Sequence, residues 1–151
     1  MYAVLAILSG GAIAGMLDIA FACTFWSIKA GVAPTRILQS VAAGLLGAAS
    51  FQGGAATAAL GMVLQLVIAT GMAAVYYAVA RRWPLLVRRP VAGGAGFGLA
   101  AYAVMNYVVV PLSAARPGSH DPLWVGLSIV VHVALIGVPI ALACARALTR
   151  R

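Results

Sequence analysis

The stretch GAATAALGMVLQLVIATGMAAVYYAVA, residues 54–80, followed at once by Arg81, Arg82, Trp83 and Pro84, decides the fold class. It carries no charged side chain. A helix needs about 20 mostly apolar residues to cross the hydrocarbon of a bilayer, so this segment reads as a transmembrane helix closed by a basic, aromatic and proline boundary. The same test selects three more stretches, residues 3–28, 91–112 and 123–148. Lys29, Ala30 and Gly31 end the first, Pro111 begins to close the third, and Arg146 with Arg150 and Arg151 marks the end of the last.

Composition agrees. Of 151 residues, 64% are hydrophobic and only 8% charged, with a mean hydropathy of +1.07. A soluble domain carries about a quarter charged residues, so the material for a water-facing surface is missing. The expected class is all-α, a four-helix integral membrane bundle forming one domain over residues 1–151. Ten Lys and Arg stand against two Asp and Glu. They sit at the ends of apolar runs rather than in patches between polar residues, which fits anionic lipid headgroups and argues against nucleic acid. Met1, Tyr2 and Ala3 give no basic n-region, and the apolar run after them is too long for a signal peptide, so the first helix is expected to be retained. Cys23 and Cys144 fall near opposite ends of the bundle and belong to no CxxC or Cys/His cluster.

Between the first two spans lies PTRILQSVAAGLLG, residues 34–47, too short and too polar to cross. Ile37, Leu38, Val41 and Leu45 share a helical face with Arg36, Gln39 and Ser40 largely off it, and Pro34 suits a first turn. A helix over about residues 34–50, lying on the membrane surface, is expected, with a re-entrant half-helix as the alternative. Orientation follows from basic residues, which stay cytoplasmic. Arg81, Arg82, Arg88 and Arg89 fill the second connection, whereas the other two hold Lys29 and Arg36, then Arg116 beside Asp121. Both termini should be cytoplasmic. Tyr2, Tyr76, Tyr77 and Trp83 group near that interface, and Trp26, Phe51, Tyr107 and Trp124 near the other. The four arginines of the second connection are also candidates for anionic headgroup contact, against the plain role of setting topology.

Small residues recur four apart: Gly11 and Gly15, Gly54 and Ala58, Thr57 and Gly61, Gly94 and Gly98. Such faces let helix backbones approach in lipid, either inside the bundle or across a homodimer. The run from Gly93 to Gly98 is no nucleotide loop, because no strand precedes it.

Each span carries one strongly polar residue: Asp18, Gln65, Asn106 and His132. All lie about 14 to 17 residues from the cytoplasmic boundary, which at ~1.5 Å per residue is some 20 to 25 Å deep. An unpaired charge in hydrocarbon costs at least ~2.5 to 3.5 kcal/mol, so Asp18 should face inward and find a partner, with His132 the only base at that depth. The four residues form a candidate ligand or proton site, against the alternative of a hydrogen-bonded staple that sets helix register. Thr24, Thr70 and Ser128 are within reach of neighbouring turns. Ser128 and His132 share a face one turn apart, without a visible oxyanion hole, so no catalytic residue is assigned. Pro139 removes a helix bond below His132 and predicts a kink that opens room there. His120 and Asp121 fall short of a metal site. They read as a solvated turn leading into the last helix.

PTRILQSVAAGLLG (residues 34–47), GGAATAALG (residues 53–61) and MNYVVVPLS (residues 105–113) resemble a family of small four-helix bacterial inner-membrane proteins. The resemblance implies an inner-membrane location and supplies no activity. Members often carry histidine where this chain has Gln65, and the departure removes one of the two imidazoles that would clasp a haem between the second helix and His132. No cofactor or metal is therefore expected. The expected function is non-enzymatic: a small polytopic protein acting as a homo-oligomer or as an accessory subunit of a larger membrane complex. The alternatives are a small permease or proton-coupled carrier using the polar layer, and an intramembrane enzyme or haem-binding protein.

Overall fold

The computed structural model describes residues 2–116 and 118–149. Arg150 and Arg151, counted above with the C-terminal basic cluster, lie outside the described residues, as do Met1 and Pro117. Among the described residues there is no strand. The helices are α1 (Tyr2–Ala30), α2 (Pro34–Leu46), α3 (Gly54–Ala80), α4 (Pro84–Arg88), α5 (Pro90–Val104), α6 (Val110–Leu112), α7 (Pro122–Val131) and α8 (Val138–Thr149). A 3-10 turn, Gly47–Gln52, follows α2, and π-helical segments join α5 to α6 (Met105–Val109) and α7 to α8 (His132–Gly137). Continuous rods thus run over Pro90–Leu112 and Pro122–Thr149, and with α1 and α3 they make four helices long and apolar enough to cross a membrane.

Local chemistry sets the boundaries. Proline opens α2, α4, α5 and α7 at a first-turn position where its missing N–H costs nothing. α1 ends because Gly31 adopts φ +63°, a left-handed value that suits glycine. Its N–H and that of Val32 then donate back to the carbonyls of Ser27 and Trp26. The two π segments each lie just upstream of a proline, Pro111 and Pro139. A proline ring collides with the carbonyl four residues earlier, here Tyr107 and Leu135, and widening the helix over that turn relieves the collision.

The long helices alternate in direction, so the two termini and α4 share one end while α2 and the Ser113–Pro122 connection share the other. The buried apolar core lies toward the terminal end. There Ala14, Ala73, Tyr76, Ile140, Ala141 and Cys144 form the core between α1, α3 and α8. Tyr76 and Tyr77, grouped by sequence with the interfacial aromatics, are buried in that core, Tyr76 meeting Phe97 edge-on with centroids 5.1 Å apart. Cys23 and Cys144 are both free thiols.

Small residues allow this closeness. A Cβ on Gly11 would lie 2.5 Å from Thr70 Cα, and one on Gly94 would lie 2.6 Å from the Gly137 carbonyl oxygen. At Gly98 a Cβ would overlap the His132 carbonyl, and at Gly61 that of Leu38. The pairs Gly11/Gly15 and Gly94/Gly98 are thus used in contacts within the chain.

α2 packs along the first turns of α3, as the Gly61 contact requires. Its buried residues are Gln39, Ala42 and Ala43, so Gln39, expected off the apolar face, instead turns inward. Its Nε2 donates to the Gly54 carbonyl at 2.9 Å and to Thr57 Oγ1 at 3.4 Å. Leu45 and Leu46 point outward.

The backbone contact at Gly98 generates a prediction. Gly98→Val should cost about 1 to 3 kcal/mol of stability, because main chain rather than a movable side chain blocks the added carbons. Gly96→Ala, whose Cβ meets open space, should melt no lower than the parent. Circular dichroism melts in detergent compare the two, and equal melting would contradict the contact.

Candidate functional site

Toward the α2 end the helices spread. α1, α2, α3, the α5–α6 rod and the α7–α8 rod enclose a cavity of about 280 Å³, near the lower limit of small-ligand pockets, about 300 Å³. It extends from the level of Met72 and Ile136 to that of Trp26, Ser40 and Val110. All four residues of the polar layer line it: Asp18 from α1, Gln65 from α3, Asn106 from the first π segment and His132 from the second.

Within the layer the partners differ from the acid–imidazole pair suggested by depth. Gln65 Nε2 donates to Asp18 Oδ2 at 2.8 Å and to the Gly15 carbonyl at 3.4 Å, tying α1 to α3. A hydrogen bond to a charged group is worth roughly 1.5 to 3 kcal/mol, comparable with the cost of the carboxylate in hydrocarbon. No ion pair joins Asp18 to His132 among the described residues. His132 Nδ1 instead lies 2.9 Å from the Ser128 carbonyl of its own helix. A carbonyl can only accept, so Nδ1 carries the proton, and in the neutral ring Nε2 keeps its lone pair. The Tyr102 ring stands edge-on to the imidazole with centroids 5.3 Å apart.

Asn106 is exposed on the cavity's rim, with Nδ2 donating to the Tyr102 carbonyl at 2.9 Å. Ser128 lines the cavity at 7% exposure, and its Oγ has no hydrogen-bond partner. Ser128 Oγ and His132 are therefore not a nucleophile and base. Thr24 is exposed and donates to Ala20 of its own helix. Thr70 packs against Gly11. Neither lines the cavity. Gln65, committed to Asp18, supplies an amide where a haem held by two imidazoles would need its second ligand. Among the described residues no group of three His, Cys, Asp or Glu gathers as a metal site.

Sequence reasoning missed the aromatic wall. Phe21, Trp26 and Trp124 line the cavity at its α2 end, with Trp124 stacked on Phe21 at 6.0 Å and tilted against Trp26 at 5.2 Å. A spacing signal existed, since Trp124 sits about one turn before Ser128 and two before His132, but the chain gives no hint that α1 supplies its partners. Lys29 was also unassigned. It pairs with Asp121, the N-cap of α7, which accepts from the Trp124 N–H at 3.0 Å. The Lys29 ammonium, then that backbone donor, hold the Asp121 carboxyl below its ordinary value. The four candidate headgroup arginines, Arg81, Arg82, Arg88 and Arg89, are all exposed at the terminal end. Arg81 and Arg88 border a shallow pocket with Val87 and Leu148.

Set against family models, curated proteins and solved structures, the chain matches none.

The tautomer can be checked directly. In protein with 15N-labelled histidine, the neutral His132 ring should show a protonated Nδ1 and a bare Nε2. The opposite assignment would mean that the bond to the Ser128 carbonyl is not made.

Proposed function

We propose that this chain is a non-enzymatic bacterial inner-membrane carrier, a four-helix bundle that binds a small polar solute in its mid-bundle cavity and couples its passage to protons. The observation that carries this reading is the convergence of Asp18, Gln65, Asn106 and His132, one from each long helix, on a single cavity. A staple that only fixed register would bond its members to one another. Here only Gln65 and Asp18 are joined, while Asn106 and His132 bond to carbonyls of their own helices and leave atoms facing the cavity. Asp18 and His132 can each take up a proton, and doing so changes what the cavity accepts.

In this reading both termini face the cytoplasm. Arg81, Arg82, Arg88, Arg89 and Arg146 cluster at the terminal end, whereas at the other end Lys29 is paired with Asp121 and Arg36 lies 4.6 Å over the Phe51 ring. This asymmetry supports the positive-inside orientation. α2 then lies at the outer surface of the membrane, and the pocket beside Arg81 and Arg88 suits anionic headgroups. In this arrangement the cavity lies in the outer half of the bilayer.

The test is reconstitution into liposomes containing a pH-sensitive dye, with cationic, neutral and anionic solutes applied in turn. One class should drive proton movement, and Asp18→Asn should abolish it. If no solute moves protons and Asp18→Leu leaves stability unchanged, the carrier reading fails.

A second reading, a homo-oligomer or a subunit of a larger complex, is favoured by one feature. Tyr107 is 77% exposed on the outer half of the Pro90–Leu112 rod, so a phenol hydroxyl faces the surroundings where hydrocarbon offers it no partner. In gentle detergent this reading expects a mass above one chain that falls to one chain in Tyr107→Ala. A monomeric parent would refute it.

A further inference from the structure

The hydrogen bonds of the cavity fix the chemistry of what it can hold, and this step rests on the solute-binding reading above. Donors are largely taken. Gln65 Nε2 is turned onto Asp18 and Gly15, Asn106 Nδ2 onto Tyr102, and His132 Nδ1 onto Ser128, in each case a carboxylate or carbonyl oxygen. The atoms of these lining residues left without a protein partner are mainly acceptors: Asp18 Oδ1, Gln65 Oε1, Asn106 Oδ1 and His132 Nε2. Against these four stand one N–H of Asn106 and the hydroxyl of Ser128, which can also accept. Ser128, whose hydroxyl is buried without a protein partner, is among the residues that line this same cavity. Among the described residues no lysine or arginine lines it, and Asp18 is the one carboxylic acid that does.

A ligand that satisfies such a wall must carry several donors, and in hydrocarbon one that also carries positive charge balances the carboxylate. Aromatic side chains add a second preference. Phe21, Trp26, Tyr102 and Trp124 line the cavity, and ring faces attract cations. An anion would meet a carboxylate without any compensating cation. A hard metal ion would find one carboxylate where several oxygen ligands are needed. About 280 Å³ limits the ligand to a small molecule.

We infer that the cavity is a binding site for a small primary ammonium ion, with Asp18 as counter-ion, Ser128 and Asn106 as further hydrogen-bond partners, and the tryptophan end as its apolar wall. The ammonium group supplies three donors on one charged atom, and its short alkyl part packs against the rings.

Trp26 and Trp124 sit at the site, while Trp83 is exposed at the terminal end. In Trp83→Phe protein the fluorescence therefore reports the cavity alone. Titration with ethylammonium chloride should give a saturable change that equal concentrations of sodium chloride, sodium acetate and ethanol do not. Adding Asp18→Asn should weaken it at least about tenfold. Ser128→Ala, which removes no hydrogen bond within the protein, should weaken it roughly fivefold with unchanged folding. Should Asp18→Asn fail to fold, Ser128→Ala decides. Equal saturation by acetate or ethanol, or an unchanged affinity in a folded Ser128→Ala or Asp18→Asn protein, overturns the ammonium assignment while leaving solute binding intact. Silence toward all probes overturns the assignment too, and if no solute moves protons in liposomes the carrier reading falls with it.

Discussion

Main chain touches main chain where Gly94 and Gly98 of α5 meet Gly137 and the His132 carbonyl, and much of the architecture depends on that contact. In an apolar medium helices gain little from burying Leu or Val against one another, so close approach has to come from dispersion between backbones. Glycine at all three positions lets the two rods come within that range. The contact also sets the height of His132, whose carbonyl is part of it, and through His132 the level of the polar layer. α1 and α3 reach the same closeness at Gly11, Gly15 and Ala69.

Among the four long helices that closeness belongs to the half nearer α4. Beyond it, Pro111 and Pro139 each impose a wider turn just upstream, and those turns carry Asn106 and His132. π-helical turns rotate the residues beyond them relative to a regular helix, and they recur at functional sites. Here they coincide with the level at which the helices part to leave the cavity. The same two prolines thus account for the change in helix geometry and for its position beside the polar residues.

Much of this was legible in the chain. Apolar runs of 20 residues or more have one outcome when bounded by arginine and proline, so the four long helices fall close to their expected limits, whereas α2 starts at Pro34 as expected but gives way after Leu46 to a 3-10 turn. The common level of Asp18, Gln65, Asn106 and His132 was legible too, because helical rise is fixed and depth can be counted. Partner choice was not. Depth places Asp18 near both Gln65 and His132, and only the rotation of each helix about its axis decides between them. The inward turn of Gln39 escaped for a related reason. Periodicity locates an apolar face, but the first turn of α3 presents the Gly54 carbonyl and the Thr57 hydroxyl to α2, and an amide can bond to both where a leucine could not. Tyr76 and Tyr77 were likewise assigned by sequence position, which says nothing of the side to which a ring points.

The pairing of Lys29 with Asp121 acquires a meaning beyond capping α7. It ties the end of α1 to the start of α7 over the tryptophan side of the cavity, and both partners remain open to solvent. Exposed ion pairs fade as dissolved ions screen them, with a Debye length near 10 Å at about 0.1 M. Glycine contacts at the opposite end carry no charge and ignore that screening. The two ends of the molecule are therefore fastened by forces with different sensitivities, and a rise in ionic strength loosens the α1–α7 end while the glycine-packed end keeps its contacts.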